Sequence, residues 1–241
     1  MKNSKSNQVG NFEKLVSFAN AQGPVYNPGK ASIQVAALQT LLTQAEGAIQ
    51  AVNVTRVAFE QARNDRHVML ENIPKLARKI IAVLQANDAP GEALDDVKAL
   101  KRKLTPQRRK VTTPGAERSS GGGQPVATGP RQIYQLDVES MIGNFSHLVM
   151  RALAEPTYSA NESSLSREGM AEIVTRLQQK HHEVIDARRA WTNATQTLNS
   201  LAYSSAGIYG RAKAAKAYVE SVYGLYSIPY KQLATLTFIK R

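Results

Sequence analysis

Chemistry on this chain has to be sought among four histidines, nineteen carboxylates and thirty-one lysines and arginines, because there is no cysteine. Without thiolates, disulfide scaffolds, zinc-thiolate sites, iron-sulfur clusters and thiol nucleophiles all drop out. The one clustered pair of imidazoles is His181-His182, followed by Glu183 and Asp186. Metal ligands on a helix need spacings of three or four to share a face. His182 with Asp186, or with Gln178 or Gln179 as a poor third, is the nearest approach. In the internal register described below, His181 falls opposite Ile49 and His182 opposite Gln50. A half-buried and a solvated histidine are therefore expected, and no metal site. His67 and His147 stand alone, without the Ser or Cys and the carboxylate that a nucleophilic triad needs.

Gly121-Gly122-Gly123 invites comparison with a phosphate-binding loop, which sits between a strand and a helix start with Lys-Ser or Lys-Thr directly after it. Here the chain continues Gln124-Pro125-Val126, so the glycines read as a spacer. The carboxylates form no inward-facing Glu-x-x-His pair of the di-iron kind. No catalytic residue, cofactor or small-molecule substrate is expected.

Basic residues are the more informative group. Lys98, Lys101, Arg102 and Lys103, then Arg108, Arg109 and Lys110, form a cluster able to bind phosphate backbones through charge and counterion release, without reading sequence. No aromatic residue lies between Lys98 and Arg131, so base stacking is unavailable there. A second group, Arg211, Lys213 and Lys216, shares a segment with Tyr209, Tyr218 and Tyr223, which at helical spacing are expected to pack with their hydroxyls near the surface.

The net charge of +12 is unevenly spread. Residues 1–100 hold 11 basic and 9 acidic side chains, and residues 133–241 hold 12 and 9. Residues 101–132 hold 8 basic residues and only Glu117, so this short piece carries 7 of the 12 net charges. It also contains Pro106, Pro114, Pro125, Pro130 and five glycines, a composition that suits neither helix nor central strand. Residues 105–132 are therefore expected to be a flexible basic linker.

On either side of it lie two segments that look alike. Asn11-Phe12-Glu13-Lys14-Leu15-Val16 recurs as Asn144-Phe145-Ser146-His147-Leu148-Val149. Pro24-Val25-Tyr26 matches Pro156-Thr157-Tyr158, and Ile33, Leu38, Leu41, Val52 and Phe59 fall opposite Leu165, Met170, Ile173, Val184 and Trp191 at an offset of 132. Val97-Lys98 and Leu100 answer Tyr230-Lys231 and Leu233. The reading is an internal duplication: a first helical-bundle copy over 1–104, the linker over 105–132, and a second copy over 133–241.

Each copy reads as helix. Apolar residues recur three and four apart from Leu38 to Val83 and from Met170 to Val222, while strand-like alternation is almost absent. A shorter helix precedes each stripe, about Phe12 to Ala19 and Val138 to Ala154, and a further one is expected at about Glu92 to Lys103. Asn27-Pro28 supplies a cap and first-turn proline for the first long helix, and Ser163 or Ser164 for the second. The heptad phase runs unbroken past Pro74, which either opens a new antiparallel helix or kinks a long one. An unbroken helix from Ala31 to Ala86 would be on the order of 80 Å long. A hairpin covers its own apolar face and is the favoured reading; the alternative is two long rods, one from each copy, covering one another. Phe59 and Trp191, opposite each other in the register, are expected to be buried. The tail from Ala234 to Ile239 is β-tolerant.

The opening Asn-Phe-Glu-Lys-Leu after Asn7-Gln8-Val9, and the closing Pro229-Tyr230-Lys231-Gln232-Leu233 with Leu236 and Phe238, resemble a group of duplicated helical proteins predicted from Bacteroidetes genomes. The resemblance implies the duplication and a helical fold, and it implies no activity and no site.

No run approaches 18 apolar residues and the first 15 lack the apolar core of a signal peptide, so a cytoplasmic, non-membrane protein is expected. The functional expectation is a non-enzymatic helical scaffold or protein-interaction protein, with a protein partner or self-association. The alternative is nonspecific nucleic-acid binding through Lys101, Arg102, Lys103, Arg108, Arg109 and Lys110.

Overall fold

The computed structural model describes residues 5–104 and 133–240. Regular structure among them is all helical: α1 (Lys5–Ala21), α2 (Val35–Ala86), α3 (Gly91–Leu104), α4 (Ile133–Leu153), α5 (Arg167–Tyr203), α6 (Ile208–Tyr223) and α7 (Ile228–Ala234), with 3₁₀ turns at Gly23–Val25 and Ala31–Ile33. The all-α class expected from the apolar spacing is the class adopted. Residues 105–132, expected as the linker, lie outside the described residues.

Two compact units form, and they do not coincide with the two halves of the sequence. The first combines Met1–Ala62 with Val184–Arg241, and the second is Arg63–Glu183. In the first, Phe12, Leu15, Val16 and Ala19 of α1 meet Leu38, Leu41 and Ala45 of α2 and Ile208, Ala212, Ala215 and Val219 of α6. In the second, Phe145, Leu148, Val149 and Ala152 of α4 meet Met170 and Leu177 of α5, Ile73, Ala77, Ile80 and Leu84 of α2, and Val97 and Leu104 of α3. Each core therefore takes a short helix and the start of a long one from one half of the chain, and its remaining helices from the other half.

Positions matched in the sequence have matching environments. Phe12 and Phe145 are both wholly enclosed, and the Tyr26 hydroxyl donates to the Ile33 carbonyl at 2.9 Å as Tyr158 donates to Leu165 at 2.7 Å. Burial pushes the Tyr26 phenol up to about 12 and raises Tyr158 in the same direction. Further along, buried Ile73, Ala77, Ile80 and Leu84 have the same spacing as buried Ile208, Ala212, Ala215 and Val219, 135 positions later.

The hairpin expected at Pro74 is not formed: α2 continues through it from Val35 to Ala86. Proline inside a helix costs about 3 kcal/mol through a lost hydrogen bond and a clash with the preceding turn. Keeping helical register there holds Ile73, Ala77, Ile80 and Leu84 in one stripe, each 1% exposed or less. Burying those side chains outweighs one defective turn, since each large aliphatic contributes roughly 1.5–3 kcal/mol. In the other half the matched stretch is interrupted, α5 ending at Tyr203 and α6 starting at Ile208.

Three finer expectations also fail. The first long helix starts at Val35, after a 3₁₀ turn, so Asn27 does not cap it; its N–H goes to the Tyr218 hydroxyl at 3.1 Å. α5 is capped by Ser166, whose Oγ accepts from the Gly169 N–H at 3.0 Å, and not by Ser163 or Ser164. Phe59 and Trp191 stack at 5.6 Å and 21° but are only half-buried. No α2 residue between Ala48 and Ile73 is fully buried, nor any α5 residue between Val184 and Leu198, so the outer sides of both rings face water.

Candidate interaction surface

Of the predicted basic residues, Lys101, Arg102 and Lys103 form the last turn of α3, while Arg108, Arg109 and Lys110 lie outside the described residues. With Glu92 in the first turn of α3, these cations complement the helix dipole. Ala93, Val97 and Leu104 of α3 are buried, and Arg151 of α4 binds Asp96 at 3.0 Å.

The second basic group is dispersed among structural tasks. Lys216 donates to the Leu236 carbonyl and stands 5.5 Å from the Phe238 ring centre, and burial lowers its pKa. The same tail is held from the other side, where Gln8 Nε2 donates to Ile239 O at 3.1 Å and Asn11 Nδ2 to Thr237 O at 3.0 Å. Residues 8–11 and 237–239 thus touch each other in the first unit. Tyr218 and Tyr223 pack as expected: Tyr218 accepts from Asn27 and meets Tyr26 edge-on at 5.3 Å, and Tyr223 donates to Gln22 Oε1 at 2.8 Å.

His181 is a half-buried titratable group of the second unit, its side chain 16% exposed. Arg66 Nη1 donates to its Nδ1 at 3.2 Å, so the ring proton sits on Nε2, which faces Glu139 Oε1 at 3.6 Å. Burial, then the Arg66 charge, holds the imidazole below its ordinary 6.5, against an upward pull from Glu139. Arg66 Nε is buried without a hydrogen-bond partner among the described residues, and Lys180 next door pairs with Glu183 at 2.7 Å and Asp65 at 3.7 Å. His182 is exposed and donates Nδ1–H to Gln178 O at 2.8 Å. No group of three or more His, Asp or Glu able to hold a metal occurs among the described residues. The lowered pKa has a testable sign. Below 6.5 the unfolded chain takes up a proton that the folded ring refuses, so stability should fall as pH drops from 6.5 toward the folded value. Urea unfolding midpoints between about pH 7.5 and 5 should show this slope in the wild type and a smaller one in His181→Gln.

The surface feature that composition did not disclose lies in the first unit. Around the turn from α6 to α7, Val222, Leu225, Tyr226 and Ile228 are exposed, Tyr226 by 83% and Ile228 by 74%. Gly224, at φ 84°, makes the turn and gives its N–H to Glu220 O at 2.8 Å. The bonds from Tyr223 to Gln22 and from Asn27 to Tyr218 seat the loop carrying Val25, itself 55% exposed, against the end of α6. In the sequence these residues look like an ordinary helix end, and Val222 looks like the last member of the core stripe. Only the position of the turn exposes them.

No helix among the described residues is long and apolar enough to cross a membrane. Compared with known proteins, the chain matches no family model, no curated protein and no solved structure.

Proposed function

We propose that this protein is a non-enzymatic helical scaffold that engages another protein surface, a partner or a second copy of itself, through the apolar end of its first unit. The observation that carries the reading is the exposed group Val25, Val222, Leu225, Tyr226 and Ile228. Exposed apolar side chains that include a tyrosine are characteristic of interfaces, where aromatic residues are enriched and charge is depleted. Beneath this function we read residues 1–104 and 133–241 as two copies of one helical segment. Support comes from the paired enclosure of Phe12 and Phe145 and from the tyrosine-to-carbonyl bond repeated at Tyr26 and Tyr158.

A photoreactive phenylalanine analogue introduced at position 226 tests the proposal in cells. Crosslinks to a protein, the same chain or another, are expected there and at position 228, and not at the exposed control position of Lys75. Equal labelling at all three would sink it.

A further inference from the structure

A concave site of about 190 Å³ in the first unit is lined by Lys30, Ser32, Ser205, Ala206, Gly210 and Arg211. We infer that it binds a phosphate group, free or carried as a monoester on a small molecule. Two cations converge on it. Among the described residues no carboxylate lies within 4 Å of the nitrogens of either. Unpaired like charges in a concavity repel each other and concentrate anions, and the excess of positive charge over the whole chain adds to the pull.

The arginine is held in place before any ligand arrives. Its Nε donates to Ala206 O at 3.0 Å and its Nη1 to Ala37 O at 2.9 Å, which leaves three of its five N–H groups uncommitted to these bonds. A fixed guanidinium suits the bidentate geometry of phosphate, while the exposed Lys30 supplies an adjustable charge. Ser32 and Ser205 add hydroxyls at the wall. The turn bearing Ser205 lies so close to α6 that a Cβ on Gly210 would stand 1.7 Å from the Ser205 carbonyl oxygen, so the wall is built into the backbone.

The fold does not require this charge. At the matched places in the other half of the chain, Lys30 has Glu162 as its counterpart and Arg211 has Leu76. Size narrows the ligand class, because sites enclosing a drug-sized molecule occupy roughly 300–1,000 Å³. Only a small oxyanion, or the phosphate end of a larger ligand, fits inside.

Isothermal titration of the full chain with inorganic phosphate, and separately with adenosine monophosphate, tests the inference. Saturable binding of either is expected. Preference for inorganic phosphate marks a free anion as the ligand, and preference for the nucleotide marks a monoester. Lys30→Ala, an exposed position whose loss leaves the core intact, should weaken binding by about tenfold, and Lys75→Ala should not. Arg211→Lys keeps the charge but loses the fork, and its thermal unfolding is read alongside to separate loss of binding from loss of fold. No saturable heat with either ligand, or binding unchanged in Lys30→Ala, overturns the inference.

Discussion

Expressed separately, residues 1–104 and residues 133–241 should each lack a cooperative unfolding transition as monomers, and should regain one when mixed in equal amounts. The first unit draws Phe12, Leu15, Leu38 and Leu41 from one fragment and Ile208, Ala212, Ala215 and Val219 from the other. The second draws Ile73, Ile80, Leu84 and Val97 from one and Phe145, Leu148, Met170 and Leu177 from the other. Separating the fragments exposes both sides of both cores. Each large aliphatic or aromatic side chain returned to water forfeits roughly 1.5–3 kcal/mol, and a whole domain retains only about 5–15 kcal/mol of net stability. Circular dichroism melts of each fragment, alone and mixed, decide the matter. A monomeric 1–104 fragment with a sharp melt of its own would show that each half is self-sufficient, as a pair of separate bundles requires.

Phe12→Ala and Phe145→Ala should each destabilise the protein by about 3–5 kcal/mol, the usual range for removing an enclosed phenylalanine. Neither ring has any exposed surface, and each is ringed by short aliphatic side chains on helices whose positions are set by several other contacts, so the cavity cannot readily collapse. The two losses should be felt in different places. Hydrogen exchange should speed up in α1 and α6 for Phe12→Ala, and in α3 and α4 for Phe145→Ala, because each ring belongs to a different core. Tyr226→Ala, at a residue 83% exposed, should change the urea midpoint little. Losses below about 1 kcal/mol for both phenylalanine variants would mean that the cores are packed otherwise than described.

Much of the architecture was legible in the residues because apolar spacing reports which face of a helix is dry. The spacing puts Leu38, Leu41, Ala45, Ile73 and Ile80 in the dry stripe, and all are buried, while Val52, Ala62 and Leu76 of the same stripe are only half-buried. The spacing puts the limits of α3 within one residue of those observed, and it makes His181 half-buried and His182 solvated, as they are. Spacing does not report what covers the dry face. A hairpin and a pair of long helices present the same stripe, and proline decides between them only when little else is at stake locally. At Pro74 four enclosed side chains were at stake, and they prevailed. Phe59 and Trp191 failed for a related reason: hydrophobicity and register predict that two rings will meet, and they do, but enclosure needs a third surface that this stretch lacks. The pocket at Lys30 and Arg211 and the cluster of Arg66, Glu139 and His181 could not be read at all, since their members lie from 42 to 181 positions apart in the chain and no periodicity links them.

The contact between the two ends of the chain has a consequence for the order of events during synthesis. Gln8 reaches the carbonyl of Ile239, 231 residues later, and α1 packs on α6. The second unit closes with Glu183, so its residues are all available while the chain from Val184 onward is still being made. At about 5–20 residues per second that interval is a matter of seconds, ample for a helical unit to form. The apolar side of α1, by contrast, has only the start of α2 to pack against until α6 has been made. Nascent chains arrested once Glu183 has cleared the ribosome, with α6 still inside it, should therefore already protect α3 and α4 from protease while α1 is more open to it, and α6 should be what shuts α1 away.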